Sequence, residues 1–337
     1  MKTKFKGWQT LTELGYFRRL SDGRLELNVP GIEGIIDFHT HLGISLFFTP
    51  TVDINKETAR VKHYFQSDYE VDMNIYSGQN IHENSPNWTY KDLLPVVLSP
   101  FRMGKHHTHT IPNIIKEMDA LKIDKSITLG LDFIKSFNSR RQGEAIRFNP
   151  RLIYYCMIHP LNPGREKLID EYLAMGARGM KVHPELQLAG VDSPKVISLI
   201  KKWQKKSGGM PVLAHSGFNG YEPKKAREKA DMKHYWAFAE ALEGSPCILG
   251  HAGMNYYREA IKIAEKHDHV YLEIGGQPPA HLKEIIESLG PDRLLFGSDW
   301  PFYPQALPLA KVLVTTEEYP EARIKILRDN ALKLLGE

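Results

Sequence analysis

The chain has 337 residues, a net charge of +4, 42% hydrophobic and 25% charged residues. This is the composition of a globular protein long enough to bury a large core without disulfides or a structural metal, so a metal site in it reads as catalytic. The mild charge without a dense basic block argues against nucleic-acid binding, and the lack of any run near the ~20 apolar residues of a span argues against a membrane helix.

The first 33 residues read as an N-terminal extension built on a hairpin, Tyr16 to Leu20 and Arg24 to Val29, turning at Ser21-Asp22-Gly23. It is expected to cap the bottom or an edge of the domain formed by residues 34–337. Met1-Lys2-Thr3-Lys4-Phe5-Lys6 is charged but leads into no apolar signal-peptide core. Cys156 and Cys247 sit inside apolar runs and form no Cys-x-x-Cys pair. A cytoplasmic protein is therefore expected.

From residue 34 onward short β-like runs alternate with amphipathic stretches. The first strand, 34–39, leads into His39-Thr40-His41. A connection over 42–109 comes next, far longer than the ~2–6 residues usual between strand and helix. It is rich in aromatics, among them Phe47, Phe48, Tyr64, Phe65, Tyr69, Tyr76, Trp88, Tyr90 and Phe101. It reads as a lid over the mouth of a site, with a dimer contact or a surface insertion as the alternatives. A homodimer is left open. Strands are then expected at 125–131, 152–158, 178–183, 211–215, 246–250, 269–274 and 293–298. Helices are expected near 110–121, 139–148, 164–175, 194–207, 225–243, 255–267 and 279–289, with a last pair at 305–314 and 320–335. Eight strands each followed by a helix favour an α/β fold of the (β/α)8 TIM-barrel type over residues 34–337, which places chemistry at the carboxyl ends of the strands.

Those ends carry the candidate site. Alternation along a strand puts His39 and His41 on one face and Phe38 and Thr40 on the other. Asp37 shares the face of the two histidines and is expected to orient one of them. Later strands end in His159, His183, His215, His251 and Asp299. Neutral imidazoles with one carboxylate suit Zn²⁺ or another divalent ion. An Asp closing an apolar run is costly to bury unless paired or on metal, and can also take a proton from bound water. Lys181 lies two residues before His183 and points the same way. It must be paired, neutral or modified, unless it snorkels to the rim. His159 and His183 are candidates to line the site and meet a small-molecule substrate. Arg102, Trp300, Phe302, Tyr303, Asn219 and Tyr221 are further contact candidates by position. Of His106, His107 and His109, two or more are expected to be exposed or helix-capping.

These motifs, in order, resemble the amidohydrolase superfamily, in particular the amidohydrolase-related (amidohydrolase 2) branch of metal-dependent hydrolases and decarboxylases. The resemblance runs over 34–337 and rests on Ile36-Asp37-Phe38-His39-Thr40-His41, Gly179-Met180-Lys181-Val182-His183-Pro184, Pro211-Val212-Leu213-Ala214-His215-Ser216-Gly217, Gly250-His251-Ala252-Gly253 and Phe296-Gly297-Ser298-Asp299-Trp300-Pro301. It implies a TIM barrel with one or two divalent metals. His39, His41, His215 and Asp299 match the common ligands. His251 matches a residue that holds a second metal or acts as acid or base, and Lys181 matches the lysine carboxylated in two-metal members. One ion is favoured over two, because the branch is mostly mononuclear. Catalysis is expected from Asp299, His251 and Lys181, with metal-activated water attacking a lactone, ester or amide carbonyl. Many decarboxylases of the branch have Glu in place of the first His of His-x-His, which favours hydrolysis. Non-oxidative decarboxylation of an aromatic or unsaturated acid is the alternative.

Overall fold

The computed structural model describes residues 2–45, 52–86, 104–133, 136–219 and 222–337. Its eight barrel strands are β1 Ile35–Thr40, β2 Ile123–Leu129, β3 Leu152–Met157, β4 Gly179–Val182, β5 Val212–His215, β6 Cys247–Gly250, β7 Val270–Glu273 and β8 Leu294–Leu295. They lie side by side in chain order and pair in parallel. The ring closes where Phe38 N–H donates to the Phe296 carbonyl (2.7 Å), Asp299 N–H to that of His39 (2.8 Å) and His41 N–H to that of Trp300 (2.7 Å). Helices α1 Ile111–Ala120, α2 Asn138–Ile146, α3 Arg165–Ala174, α4 Pro194–Ser207, α5 Tyr235–Ala241, α6 Tyr257–Lys266, α7 Pro279–Leu289 and α8 Ala306–Thr315 succeed the strands in turn. The chain is a (β/α)8 barrel.

Local signals account for most boundaries. A proline in the first turn opens α4 and Gly208 at φ 71° ends it, the conformation that glycine adopts most cheaply. The single helix expected over 225–243 is broken. Asp231 leaves the helical region and its carboxylate accepts Lys233 N–H (3.0 Å), capping a separate 3-10 turn, Met232–His234. The last expected helix likewise contains a π turn, Lys325–Asp329.

The barrel interior corrects one step of the strand reading. Ile36 and Phe38 of β1 join Ile127, Leu129, Tyr155, Leu213, Ile248 and Leu295 in one buried cluster. Side chains from six different strands can meet only inside the ring. Phe38 therefore points inward, and Asp37 does not. His39 also points inward, because the pairing of β1 with β2 shifts register between Asp37 and Thr40. Such an irregularity adds a residue and turns the later side chains over. Asp37 faces the outer side, where Ser298 N–H (2.9 Å), Ser298 Oγ–H, Gln305 Nε2 (2.7 Å) and His39 N–H (3.1 Å) all donate to it. It braces the backbone beneath the site and orients no imidazole. Burial pushes its carboxyl up to about 7, and those donors oppose the shift.

The hairpin pairs Phe17–Arg19 with Leu25–Leu27 and lies along the barrel's flank. Arg24 donates to the Lys116 carbonyl on α1, and the Tyr16 hydroxyl reaches Glu317 just past α8. Within 42–109, Val71–Asp72 pairs with Lys4–Phe5 and a helix spans Ser77–Asn84. Phe65 N–H donates to the Phe302 carbonyl (2.8 Å) and Ser77 N–H to that of Gly276 (2.9 Å). Phe47, Phe48, Trp88, Tyr90, Phe101, Arg102 and Tyr221 lie outside the described residues. Lys311 of α8 ties the insertion to the barrel. Its buried Nζ donates to the Ile75 carbonyl (2.8 Å), Ser77 Oγ (3.0 Å) and the Gly276 carbonyl (3.1 Å). Lys311→Met should strand buried acceptors and cost about 2–4 kcal/mol. A chemical denaturation midpoint unchanged from wild type would refute the tether.

Candidate metal centre at the barrel mouth

The carboxyl ends of the strands bring the polar side chains together. On β1, His39 directs Nδ1 to Glu273 Oε2 (2.6 Å), and His41 directs Nδ1 to the Leu129 carbonyl (3.0 Å). An acceptor on each Nδ1 fixes the proton there and leaves the Nε2 lone pair facing inward, the tautomer a metal ligand needs. Asp299 Oδ1 lies 3.4 Å from His41 Nε2 and 3.8 Å from His39 Nε2. Adjacent ligands of a tetrahedral ion with ~2.1 Å bonds are separated by roughly 3.4 Å, so the three donors fit a divalent metal without large movement. Burial, with Lys181 the next cause, holds His39 well below the usual imidazole range. Burial also lowers His41, against Asp299. Both are neutral and available as ligands near pH 7.

Two features hold these groups in place. Asp299 has φ 58°, in the left-handed region, just after β8. The chain after β6 runs left-handed through His251 (φ 60°), Ala252 and Met254. Each such non-glycine residue costs of order 1–2 kcal/mol. Gln277 Nε2 offsets this by donating to the carbonyls of His251 (2.8 Å) and Met254 (2.9 Å). The result sets the His251 ring 4.5 Å from that of His39 and 5.0 Å from that of His215.

Lys181 is fully inward, with Nζ 3.3 Å from His39 Nε2. It does not snorkel to the rim. Burial pushes its amine down to about 8, while Asp299 and Glu273 pull it up. The amine therefore has an appreciable neutral fraction at neutral to mildly alkaline pH.

His215 falls into a second group. His183, Glu185 and His215 offer donor atoms within 4.8 Å of one another. His183 Nδ1, Glu185 Oε1 and His215 Nε2 are buried with no hydrogen-bond partner among the described residues. The His183 and His215 rings are stacked 4.1 Å apart and 9° from parallel. Lone pairs lie in their ring planes, so two parallel rings cannot both aim at one ion, and this trio as placed is not a second metal cage. Its unsatisfied atoms suit a polar ligand instead. His159 is buried at the end of β3, with Nε2 also unpartnered.

Trp300 is a correction. Its indole is fully buried and donates Nε1–H to Glu117 Oε2 (2.9 Å), so it forms the wall and offers no surface to a substrate. The Phe302 ring lies 6.5 Å from the His41 ring, with Tyr64 beside it (4.7 Å). His106 and His109 are buried, not exposed, and His109 is the C-cap of the 3-10 turn Lys105–Thr108. His109 packs on Trp300 (5.8 Å). Sequence reading missed Glu273, which orients His39 and accepts His251 N–H (2.9 Å). The signal was present: Val270-Tyr271-Leu272-Glu273 is another apolar run closing on a polar residue. Glu185 sits in the one-turn helix Pro184–Gln187 and Gln277 in the connection between β7 and α7, and neither gave such a signal.

The amidohydrolase family profile matches residues 137–336. No curated protein matches the sequence. Among solved structures, the chain is similar to an uncharacterized TIM-barrel protein from Bordetella bronchiseptica (18% identity, TM-score 0.60, 90% of this chain and 98% of that one). It is also similar to a probable 2-pyrone-4,6-dicarboxylic acid hydrolase from Acinetobacter baumannii with citric acid bound (14%, 0.54, 90% and 100%). A third is 5-carboxyvanillate decarboxylase from Novosphingobium aromaticivorans with bound manganese (14%, 0.51, 66% and 80%). At these identities the structures establish the fold.

Proposed function

The chain belongs to the amidohydrolase family, and from that premise we propose that it is a metal-dependent hydrolase acting on a lactone, ester or amide of a small molecule. One observation carries the reading. Two histidines with their outer nitrogens occupied aim their inner ones at the space beside the Asp299 carboxylate, 3.4 and 3.8 Å away. His39, His41 and Asp299 would hold the ion, with His215 supplied from the adjoining group. When bound, a divalent ion lowers the pKa of water toward 7 and polarises a carbonyl. Asp299 Oδ, in the same space, accepts the proton that water gives up. His251, whose ring stacks on that of His39 at 4.5 Å, would hand a proton to the leaving group. His183 and Glu185 provide unsatisfied polar atoms to orient the substrate, and Phe302 with Tyr64 provides an apolar wall.

Purified protein should contain at least about half an equivalent of one divalent metal, zinc foremost, by elemental analysis, since catalytic sites lose metal in handling. Less than a tenth of an equivalent after growth with added metal would sink the assignment. A panel of lactones, esters and amides should release acid. Release of CO2 from aromatic or unsaturated acids instead would favour the decarboxylase reading. Both chemistries occur among the similar structures.

We read the centre as mononuclear, with Lys181 an amine that serves an anionic part of the substrate. Lys181→Ala should then raise KM or lower kcat and leave metal content unchanged. If it halves the metal, and bicarbonate with a short acid restores it, Lys181 is a carbamate bridging two ions and the one-metal reading is wrong.

A further inference from the structure

A cavity of about 380 Å³ lies on the barrel's flank, between the N-terminal segment, the insertion and α1, apart from the histidine cluster. Five of its lining side chains are Lys or Arg and two are acidic. Arg24 is paired with Asp22, and Lys116 with Glu57. Arg60, Lys62 and Lys105 have no carboxylate at ion-pair distance among the described residues. Trp8 walls the cavity, with the His63 ring edge-on to it (5.9 Å). Burial holds the Lys105 amine below the usual lysine range; Asp68 opposes that shift and Lys62 adds to it. Lys105 Nζ donates to the carbonyls of His63 (3.2 Å) and Tyr64 (3.4 Å), which hold it at the cavity without neutralising it. Cations without carboxylate partners gathered at a concave, aromatic-walled pocket raise the local potential that attracts a small anion.

The floor leads to the metal centre. Buried Glu117 binds His63 Nε2 (3.1 Å) with Oε2, and the same oxygen accepts Trp300 Nε1–H (2.9 Å). Its Oε1 accepts Gln305 N–H (2.9 Å). Trp300 directly succeeds Asp299, and its carbonyl accepts His41 N–H (2.7 Å). One carboxylate thus spans the cavity floor and both ends of the 300–305 segment that anchors Asp299. An anion that engages His63 competes for the imidazole that Glu117 holds, and Glu117 responds through its bonds to Trp300 and Gln305.

We propose that this cavity is a regulatory site for a small anion bearing carboxylate or phosphate groups, and that its occupancy is transmitted to Asp299 through Glu117 and Trp300. The transmission rests on Asp299 being a metal ligand; the binding does not. Such coupling is reciprocal, so loading the metal centre must change affinity for the anion.

The test is calorimetric titration of inorganic phosphate and, separately, succinate into metal-free and metal-loaded protein. One-site saturable binding is expected for at least one of them in the metal-free protein, and which one binds identifies the class. Arg60→Ala/Lys62→Ala, on the exposed rim, should weaken it at least about tenfold. In wild type the dissociation constant should differ at least about threefold between the two metal states. That difference should vanish in Glu117→Gln and, as a second variant of the same link, Trp300→Phe. Absence of saturable binding, or a double variant that binds like wild type, overturns the site. Equal affinity with and without metal overturns the transmission. Because the first arm needs no metal, a failure of the metal assignment and a failure of the anion site give different results.

Discussion

Asp299→Asn is expected to abolish turnover while leaving the fold and metal occupancy near wild type. Asp299 sits at φ 58°, and Asn is one of the few residues other than glycine that takes this conformation readily. Its amide oxygen can still face His41 Nε2, now 3.4 Å from the carboxylate. What is lost is a group that accepts a proton at neutral pH, typically worth about 10²–10⁴ in rate. The measurement is kcat on the substrate found by the panel, with metal content and melting temperature determined on the same sample. A variant that keeps its metal and retains more than a tenth of wild-type kcat would remove Asp299 as the base. Asp299→Ala is a poorer probe, because alanine pays the left-handed strain without an oxygen to offer.

Glu273→Gln should weaken metal binding about 10–100-fold, the usual range for a residue that orients a histidine ligand. The carboxylate accepts from His39 Nδ1 (2.6 Å), from His251 N–H (2.9 Å) and from Gly275 N–H. Burial raises its pKa, while the neighbouring His251 and the backbone donors lower it. An amide keeps the volume and one acceptor. It can present its NH2 to His39 Nδ1, which would then favour a proton on Nε2 and remove the inward lone pair. Competition with a chelator of known affinity reads the effect directly. A dissociation constant within a factor of two of wild type would mean that Glu273 does not set the His39 tautomer. The space around it is narrow: a Cβ on Gly297 would stand 2.3 Å from Glu273 Oε1, so side-chain substitutions at Gly297 should reproduce part of the defect.

Periodicity made the architecture legible. All eight barrel strands lie where short apolar runs punctuated by helix stops place them, because each strand is buried on both faces and each helix on one. The strand ends also marked His39, His41, His215, His251 and Asp299 as candidates, with Lys181 inside the fourth strand, since a polar residue in or closing an apolar run is costly to bury without a partner. Alternation by itself could not reveal the slip in β1. It placed Asp37 beside the histidines, whereas Asp37 faces outward to Ser298 and Gln305, Phe38 faces in, and the register shift after Asp37 brings His39 in as well. Nor could it tell that Trp300 spends its indole N–H on Glu117.

What the sequence alone determined is therefore the set of strands, their order and the polar groups at their ends, all local consequences of patterning. The tertiary structure decided which groups meet. His39 acquires Glu273 from a strand 234 residues away, His215 lies against His183 and Glu185, and His63 reaches Trp300 through Glu117. These pairings depend on closure of the ring and on backbone irregularities at β1, His251 and Asp299. Each is a balance between local strain and distant hydrogen bonds, which no window of sequence contains.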